Sequence, residues 1–399
     1  MGGHGRTAPT RYSAQGMHEL LDAVVQLRPV VRGYQAETER EKRIAPALVE
    51  QLRAAGLYSM VVPRALGGLQ VDVLTYLRAA ELMAEADGSV GWNLGNNAVG
   101  QLVALSLPEA GVADIFGAQP DAIVAGTAVA GGGTGVRVEG GFLVSGRWTF
   151  GSGCRESDWM MANFDIDEDG ERVLYRFFVP SSTATVIDTW DMTGMRGTGS
   201  HDWTVTDVFV PWQRTVVVPG RLLVNQWQRW AGTLYQIPIH AIVGPHHSVA
   251  ATGIARAGID ALSELAGAKV PRGGRAGVLR EQLPVQDAVA RAEAILSAAQ
   301  AYRTKAVGEV WDTVDAGQQS TLEQSARCRL AAAYAVDSAR QAMDLMYRAG
   351  GTTSSQRSHQ IAQCWRDLHV VAQAASTAPE WYALTGKVLL GLDPGPRLT

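Results

Sequence analysis

Cysteine is scarce in this chain, and the little there is has no pattern. Cys154, Cys328 and Cys364 are odd in number and irregular in spacing, which excludes a disulfide framework and a structural zinc site. No metal ligand set is expected, and a reducing, cytoplasmic compartment fits. No run of about 18 apolar residues occurs, so a membrane-spanning helix is not expected. Neither sign of charge dominates. A formal net charge of -4 provides no basic surface for nucleic acid or an anionic membrane. A dinucleotide fingerprint is also missing: Gly131 to Gly133 and Gly140-Gly141 read as β-turns, which argues against a bound NAD(P)H. The first 13 residues lack the apolar centre of a signal peptide and read as a polar tail.

What the chain has is material for a core. Hydrophobic residues make up 46% and charged residues 19%, which excludes disorder and suits a well-buried enzyme. At 399 residues it exceeds one average domain. Periodicity divides it in three. Up to residue 118 the pattern is helical. Leu48, Leu52 and Ala55 form a stripe ended by Gly56, Pro63 and Gly67-Gly68 mark a loop, and Leu74, Leu77, Ala80 and Ala84 restart the stripe up to Asp87-Gly88. Residues 119–215 read as short strands, with a hairpin at Asp167 to Gly170 and an alternating strand from Trp203 to Pro211, which predicts a small barrel or sandwich. Residues 216–399 return to helix. Val285, Ala288, Ala292, Leu296 and Ala299 make one stripe, and further helices are predicted from Thr321 to Arg348 and from Ser358 to Ala375. Together they predict an antiparallel bundle of about four helices. The fold class is α+β.

The most telling segment is GRWTFGSGC, Gly146 to Cys154. Its glycines permit close approach to a flat ligand, and Ser152 can donate and accept a hydrogen bond at the edge of a heterocycle. Trp92, Trp148 and Phe150 can wall an aromatic pocket or pack in a core.

Three further segments carry a resemblance. They are GLYSMVVPRALGGLQVD from Gly56, MTGMRGTGSHDWTVTDVFVP from Met192, and RAGGTTS with CWRDLH between Arg348 and His369. In order along nearly the whole chain, they resemble the acyl-CoA dehydrogenase superfamily. The resemblance implies an N-terminal helical domain, a central β-domain and a C-terminal four-helix bundle. It places Ser152 at the family's flavin-bonding threonine, as partner of flavin N5, and Phe150 at a tryptophan. The W-x-F-x-S-G-C form is similar to the flavin-dependent monooxygenases of this fold. These take reduced FMN or FAD (FMN favoured here) from a separate NAD(P)H-dependent flavin reductase. With O2 they form a C4a-hydroperoxide and hydroxylate a small molecule, here an aromatic (phenolic or polycyclic) or an amine. The family also implies a homotetramer in which Gly350 and Gly351 approach a neighbour's flavin.

Two absences favour the monooxygenase. In the dehydrogenases a glutamate stands eight residues after the Asp of the late Arg-Asp pair, or on the first bundle helix. Here the first position is Ala375, no acid lies between Asp367 and Glu380, and none lies in Trp230 to Ile259. Proton abstraction from an acyl thioester then has no base. The alternatives are a dehydrogenase with an unusual base or a non-catalytic scaffold.

Histidines stand in the same two regions. His369, beside a helix face of Trp365, Leu368, Ala372 and Ala375, is the leading proton-handling residue; a helix histidine bonded to a carbonyl or water is the alternative. His246 and His247, with His240 before them, are the second choice. Trp92, Asn96 and Asn97 in GWNLGNNAVGQ, and Gln373 one turn after His369, complete the expected substrate pocket. Arg196 and Ser200 are expected to line the flavin, or Arg196 pairs with Asp191. Asp367 reads as an arginine's ion-pair partner and Cys154 as a packed small residue.

Overall fold

Aspartate caps and abrupt glycine stops set the N-terminal helices. In the computed structural model, which describes residues 14–127, 131–168, 170–218, 228–271 and 277–398, these are α1 (Ala14–Glu41), α2 (Pro46–Ala54), α3 (Val73–Ala86), α4 (Gly88–Ala104) and α5 (Glu109–Phe116). The polar tail expected over residues 1–13 lies outside the described residues. Asp72 accepts the Thr75 amide to start α3, and Asp87 accepts those of Ser89 and Val90 to start α4. Just past α2, Gly56 has φ +77°, the left-handed geometry that ends a helix.

Eight strands follow: β1 (Val124–Gly126), β2 (Gly133–Val138), β3 (Gly141–Gly151), β4 (Trp159–Glu168), β5 (Glu171–Pro180), β6 (Thr185–Ile187), β7 (His201–Pro211) and β8 (Thr215–Val217). They form one sheet in the order β6-β7-β3-β2-β4-β5-β8, with β1 paired parallel to β4. The expected hairpin is present, Glu168 facing Glu171. The sheet is mixed, because β2 also meets β4 in parallel. It curls: Phe177 on β5 and Trp203 on β7, which are not neighbours, bring their rings within 6.2 Å. Phe142, Trp148 and Phe164 complete this aromatic core.

The C-terminal helices are α6 (Val243–Ala268), α7 (Leu283–Asp315), α8 (Leu322–Gly350), α9 (Gln360–Val371) and α10 (Glu380–Leu389). α6 packs against α8, α3, α9 and α4 and joins the bundle to the N-terminal helices. Close approach depends on small residues. A Cβ at Gly253 would lie 2.6 Å from the Ala84 methyl and 2.7 Å from the Glu81 carbonyl, inside contact distance. The last long helix is shorter than predicted. α9 ends at Val371, and Ala375 lies in a separate 3-10 turn, Ala375–Thr377, so it does not share a helix face with Trp365. No helix among the described residues is long and apolar enough to cross a membrane.

One buried ion pair ties α3, α6 and α7 together. Arg303 places Nη2 2.7 Å from Glu81 Oε1 and Nη1 2.8 Å from Thr252 Oγ1; Thr252 and Gln300 also donate to Glu81. Burial alone would raise the Glu81 carboxyl, but Arg303 and the donors outweigh it and hold the group at about 2. Its contribution is therefore complete above the ordinary carboxylate range and is lost as pH falls through that range towards 2. Glu81→Gln leaves the guanidinium without its counter-charge. Urea denaturation at neutral pH should read a loss of about 3–5 kcal/mol, shrinking below pH 4.

Candidate active site

The site starts from an irregularity in β3. Trp148 pairs with Trp203, and Gly151 with His201, so three steps on β3 oppose two on β7. The extra residue is a β-bulge, and Phe150 within it has φ +60°. In a regular strand Trp148 and Phe150 would share a face. The bulge separates them. Trp148 is 2% exposed in the sheet core, its indole N–H given to the Asn163 carbonyl, whereas Phe150 is 57% exposed with only its edge near Trp190. Trp148 is thus a core residue and not a wall of the cofactor site. A bulky residue at positive φ is strained by roughly 1–3 kcal/mol, a cost met mostly at functional sites.

Ser152 follows the bulge and joins a directed chain of hydroxyls. Thr198 Oγ1 donates to the Met195 carbonyl, 2.9 Å. With its one hydrogen used, Thr198 must accept from Ser200 Oγ at 2.7 Å, and Ser200 must accept from Ser152 Oγ at 2.7 Å. Trp92 Nε1–H can only donate, and it reaches Ser152 Oγ at 3.2 Å. Ser152 therefore has one lone pair left, so it presents an acceptor.

Through Trp92, on α4, this chain meets α6. The Trp92 ring lies 4.3 Å from that of His247, which lies 3.7 Å from His246. His247 Nδ1 is 3.1 Å from the Val243 carbonyl and 2.5 Å from Ser376 Oγ. A carbonyl only accepts, so Nδ1 carries the hydrogen and Nε2 keeps the lone pair. Burial, then His246 and the Arg329 guanidinium, hold His247 well below its usual range; burial pushes His246 down to about 3. Both rings are neutral in working conditions, and His247 Nε2 carries a lone pair. Ser376 is held in turn by Arg329, which also donates to His240 Nδ1.

Other expected residues lie elsewhere. His369 stacks on Trp365 with ring centroids 4.0 Å apart, and its Nε2 is 3.9 Å from Asp344 Oδ1. Among the described residues no hydrogen bond or ring contact joins it to Ser152 or Trp92. Gln373 is exposed and bonds back to the His369 carbonyl. Arg196 is taken by Asp191, 3.0 Å, with Glu39 and the Met192 carbonyl, so it holds its own loop. Among the described residues Asp367 pairs with no arginine. It is buried, and its Oδ1 accepts the Met195 amide at 2.5 Å, while Arg366 goes to the Thr193 carbonyl. Asn96 caps the Trp92 carbonyl, and Asn97 accepts the Val124 amide, facing β1 and not the histidines. Gly350 and Gly351 end α8, where Lys269 donates to the Gly350 carbonyl. Cys154 is a buried packing residue, as expected.

Thr198, Ser376 and Asn93 were not foreseen. Thr198 sat inside the recognised GMRGTGSHD loop. Ser376 adjoins the missing-base position Ala375. Asn93, which donates to the Thr198 carbonyl, is one residue from Trp92.

The chain matches known proteins over most of its length. The acyl-CoA dehydrogenase N-terminal domain matches residues 14–109 and the acyl-CoA dehydrogenase C-terminal domain matches residues 246–379. Indole-3-acetate monooxygenase of Pseudomonas putida is 30% identical over 98% of both chains. The flavin-dependent monooxygenase oxygenase subunit HsaA of Mycobacterium tuberculosis is 28% identical over 98% of this chain and all of its own. The structure of XiaF from Streptomyces sp., in complex with FADH2 and glycerol, superposes with a TM-score of 0.88 at 27% identity, covering 96% of this chain and 98% of that one. The chain belongs to the acyl-CoA dehydrogenase superfamily, in its branch of flavin-dependent monooxygenases.

Proposed function

We propose that this flavin-dependent monooxygenase is the oxygenase of a two-component system. It receives reduced flavin from a separate NAD(P)H-dependent reductase and hydroxylates an aromatic small molecule. The observation that carries the reading is the polarity of the hydroxyl chain. Reduced flavin has a hydrogen on N5, and oxidised flavin has only a lone pair there. A Ser152 fixed as an acceptor by Trp92 and Ser200 complements the reduced form and opposes the oxidised one. The exposed Phe150 ring offers an apolar face for the isoalloxazine. The FADH2 bound to XiaF makes FAD the first flavin to test, and FMN the second.

When bound, reduced flavin supplies the two electrons with which O2 is split, one oxygen atom going to substrate and the other to water. The chain's own groups do the rest. Ser152 holds the flavin edge. Trp92, carrying its N–H on Ser152 and its ring on His247, closes one side of the pocket and excludes water. His247 Nε2 takes the proton of a phenolic or ring N–H substrate, the Val243 carbonyl keeps the ring in the right tautomer, and Ser376 Oγ steadies it at Nδ1. A homotetramer completes the proposal, with Gly351, exposed at the end of α8, available to a neighbouring subunit.

Anaerobic titrations should give a dissociation constant roughly tenfold lower for reduced than for oxidised flavin, the worth of one hydrogen bond. Ser152→Ala should remove that preference, and an unchanged preference would refute the acceptor role. With 18O2 and an aromatic substrate, the label should enter product. For proton transfer, His247→Ala should slow hydroxylation by about 10²–10⁴ while His369→Ala stays within a few-fold. The reverse order would return that role to His369.

A further inference from the structure

Ser152 and Gly153 also line a small cavity whose polar wall includes Tyr58, Asn93, Asn97 and Glu156. Three of these residues each bring one buried polar atom with no hydrogen-bond partner: Asn93 Oδ1, Asn97 Nδ2 and Glu156 Oε2. An unsatisfied buried polar atom costs about 1–3 kcal/mol, so three around one space are not a packing accident. Their mixture of donor and acceptors suits a water with three bonds. The cavity adjoins the turn that carries Ser152. A Cβ at Gly153, which has φ +75°, would lie 3.4 Å from Asn93 Nδ2 and 3.8 Å from Glu156 Oε2.

Glu156 is set rigidly in this wall. Its side chain is 3% exposed, its Oε1 accepts the Ile44 amide at 2.9 Å, and its own amide donates to the Gly153 carbonyl at 3.1 Å. The carboxyl thus joins the corner between α1 and α2 to the Ser152 turn. On the far side of the cavity, Asn93 donates to the Thr198 carbonyl, at the root of the hydroxyl chain. The catalytic reading above makes no use of Glu156.

Resting on the flavin reading of Ser152, we propose that Glu156 and its cavity form a proton-sensitive support for the flavin-binding turn. Neutral Glu156, bridged to Asn93 and Asn97, holds Ser152 ready for reduced flavin. Ionised Glu156 sets a negative charge behind the electron-rich reduced ring and loosens it. The surroundings favour this switch. Burial raises the carboxyl to about 7 against the pull of Arg43, 3.6 Å away, and of Arg155. The other titratable neighbours, Tyr58 and Cys154, are pushed upward by burial and stay neutral across this range. Because the folded protein holds this proton more tightly than the unfolded chain, the group's contribution to stability is full at acid pH. It is lost as pH rises from the ordinary carboxylate range through 7.

The test compares wild type with Glu156→Gln, which keeps the shape and a donor but cannot ionise. In thermal unfolding of the flavin-free protein, wild type should lose stability relative to the variant between pH 5 and 8. In anaerobic titration with reduced FAD, the wild-type dissociation constant should rise about tenfold more than the variant's from pH 6 to 8.5, with equal affinities at pH 6; the flavin's own ionisation is common to both. Should the variant not fold, Arg43→Gln must shift the wild-type midpoints to higher pH. Parallel pH profiles, or an unmoved midpoint in Arg43→Gln, overturn the proposal. Failure of both proteins to bind reduced flavin at any pH sinks the flavin reading instead, while the stability arm still judges Glu156.

Discussion

The peptide of Met195 is the point on which the site depends. Its N–H is given to Asp367 from α9, and its carbonyl receives both Thr198 Oγ1 and the Trp190 indole. The first bond fixes the β-domain loop to the bundle. The second starts the run of hydroxyls that ends at Ser152. A hydroxyl has one hydrogen, so orienting Thr198 orients Ser200, and orienting Ser200 orients Ser152. The polarity of Ser152 is thus decided some residues away, by one carbonyl. Asp367 suits its task. Burial raises its carboxyl to about 8 despite the Met195 amide, so it can clamp the loop without bringing an uncompensated charge into the interior.

A similar economy governs the other side of the pocket. Arg329 is buried, with His240, the Ser376 carbonyl and the Trp381 ring as its partners. Its positive charge helps burial to keep His246 and His247 neutral, and its hydrogen bond places Ser376 against His247. One residue outside the pocket thus supports both the neutrality and the placement of the ring inside it, while the Val243 carbonyl sets its tautomer. The cost of burying a cation with no carboxylate is offset in part by the indole face.

Much of this was legible in the sequence where the signal is local. Helix stripes, the Glu168–Glu171 hairpin and the small-residue bundle follow from periodicity and turn chemistry. Ser152 followed from a motif with neighbours in the right order. Trp148 was misplaced because alternation assumes a regular strand, and one inserted residue sends Trp148 and Phe150 to opposite faces. The helix predicted through Ala375 stops at Val371, and that stop re-aims everything beyond His369 and brings Ser376 to His247. Arg196 and Asp367 carry charges whose partners come from distant segments, Glu39 and Met195. No spacing rule reports such partners. Glu156 was invisible for the same reason, since its role depends on Ile44, Arg43 and Asn93 converging on it.

The same geometry explains why oxygen chemistry suits this chain better than thioester oxidation. A dehydrogenase needs a carboxylate free to take a proton over the flavin. The buried acids nearest the relevant helices are all committed. Glu81 is locked to Arg303 well below the working range, Asp87 caps α4, and Asp367 holds Met195. Below about pH 7 what remains around Ser152 and Trp92 is neutral: two uncharged imidazoles, hydroxyls, an indole, an exposed phenyl ring and the protonated Glu156 carboxyl. Such a pocket offers no full charge to pull water in, and in the proposed reaction it would still accept one proton from a substrate. A reduced flavin that must meet O2 without wasting its electrons on peroxide needs those two properties together. The positions left empty of acid and the hydroxyl chain proposed to face a reduced ring are thus two parts of one design.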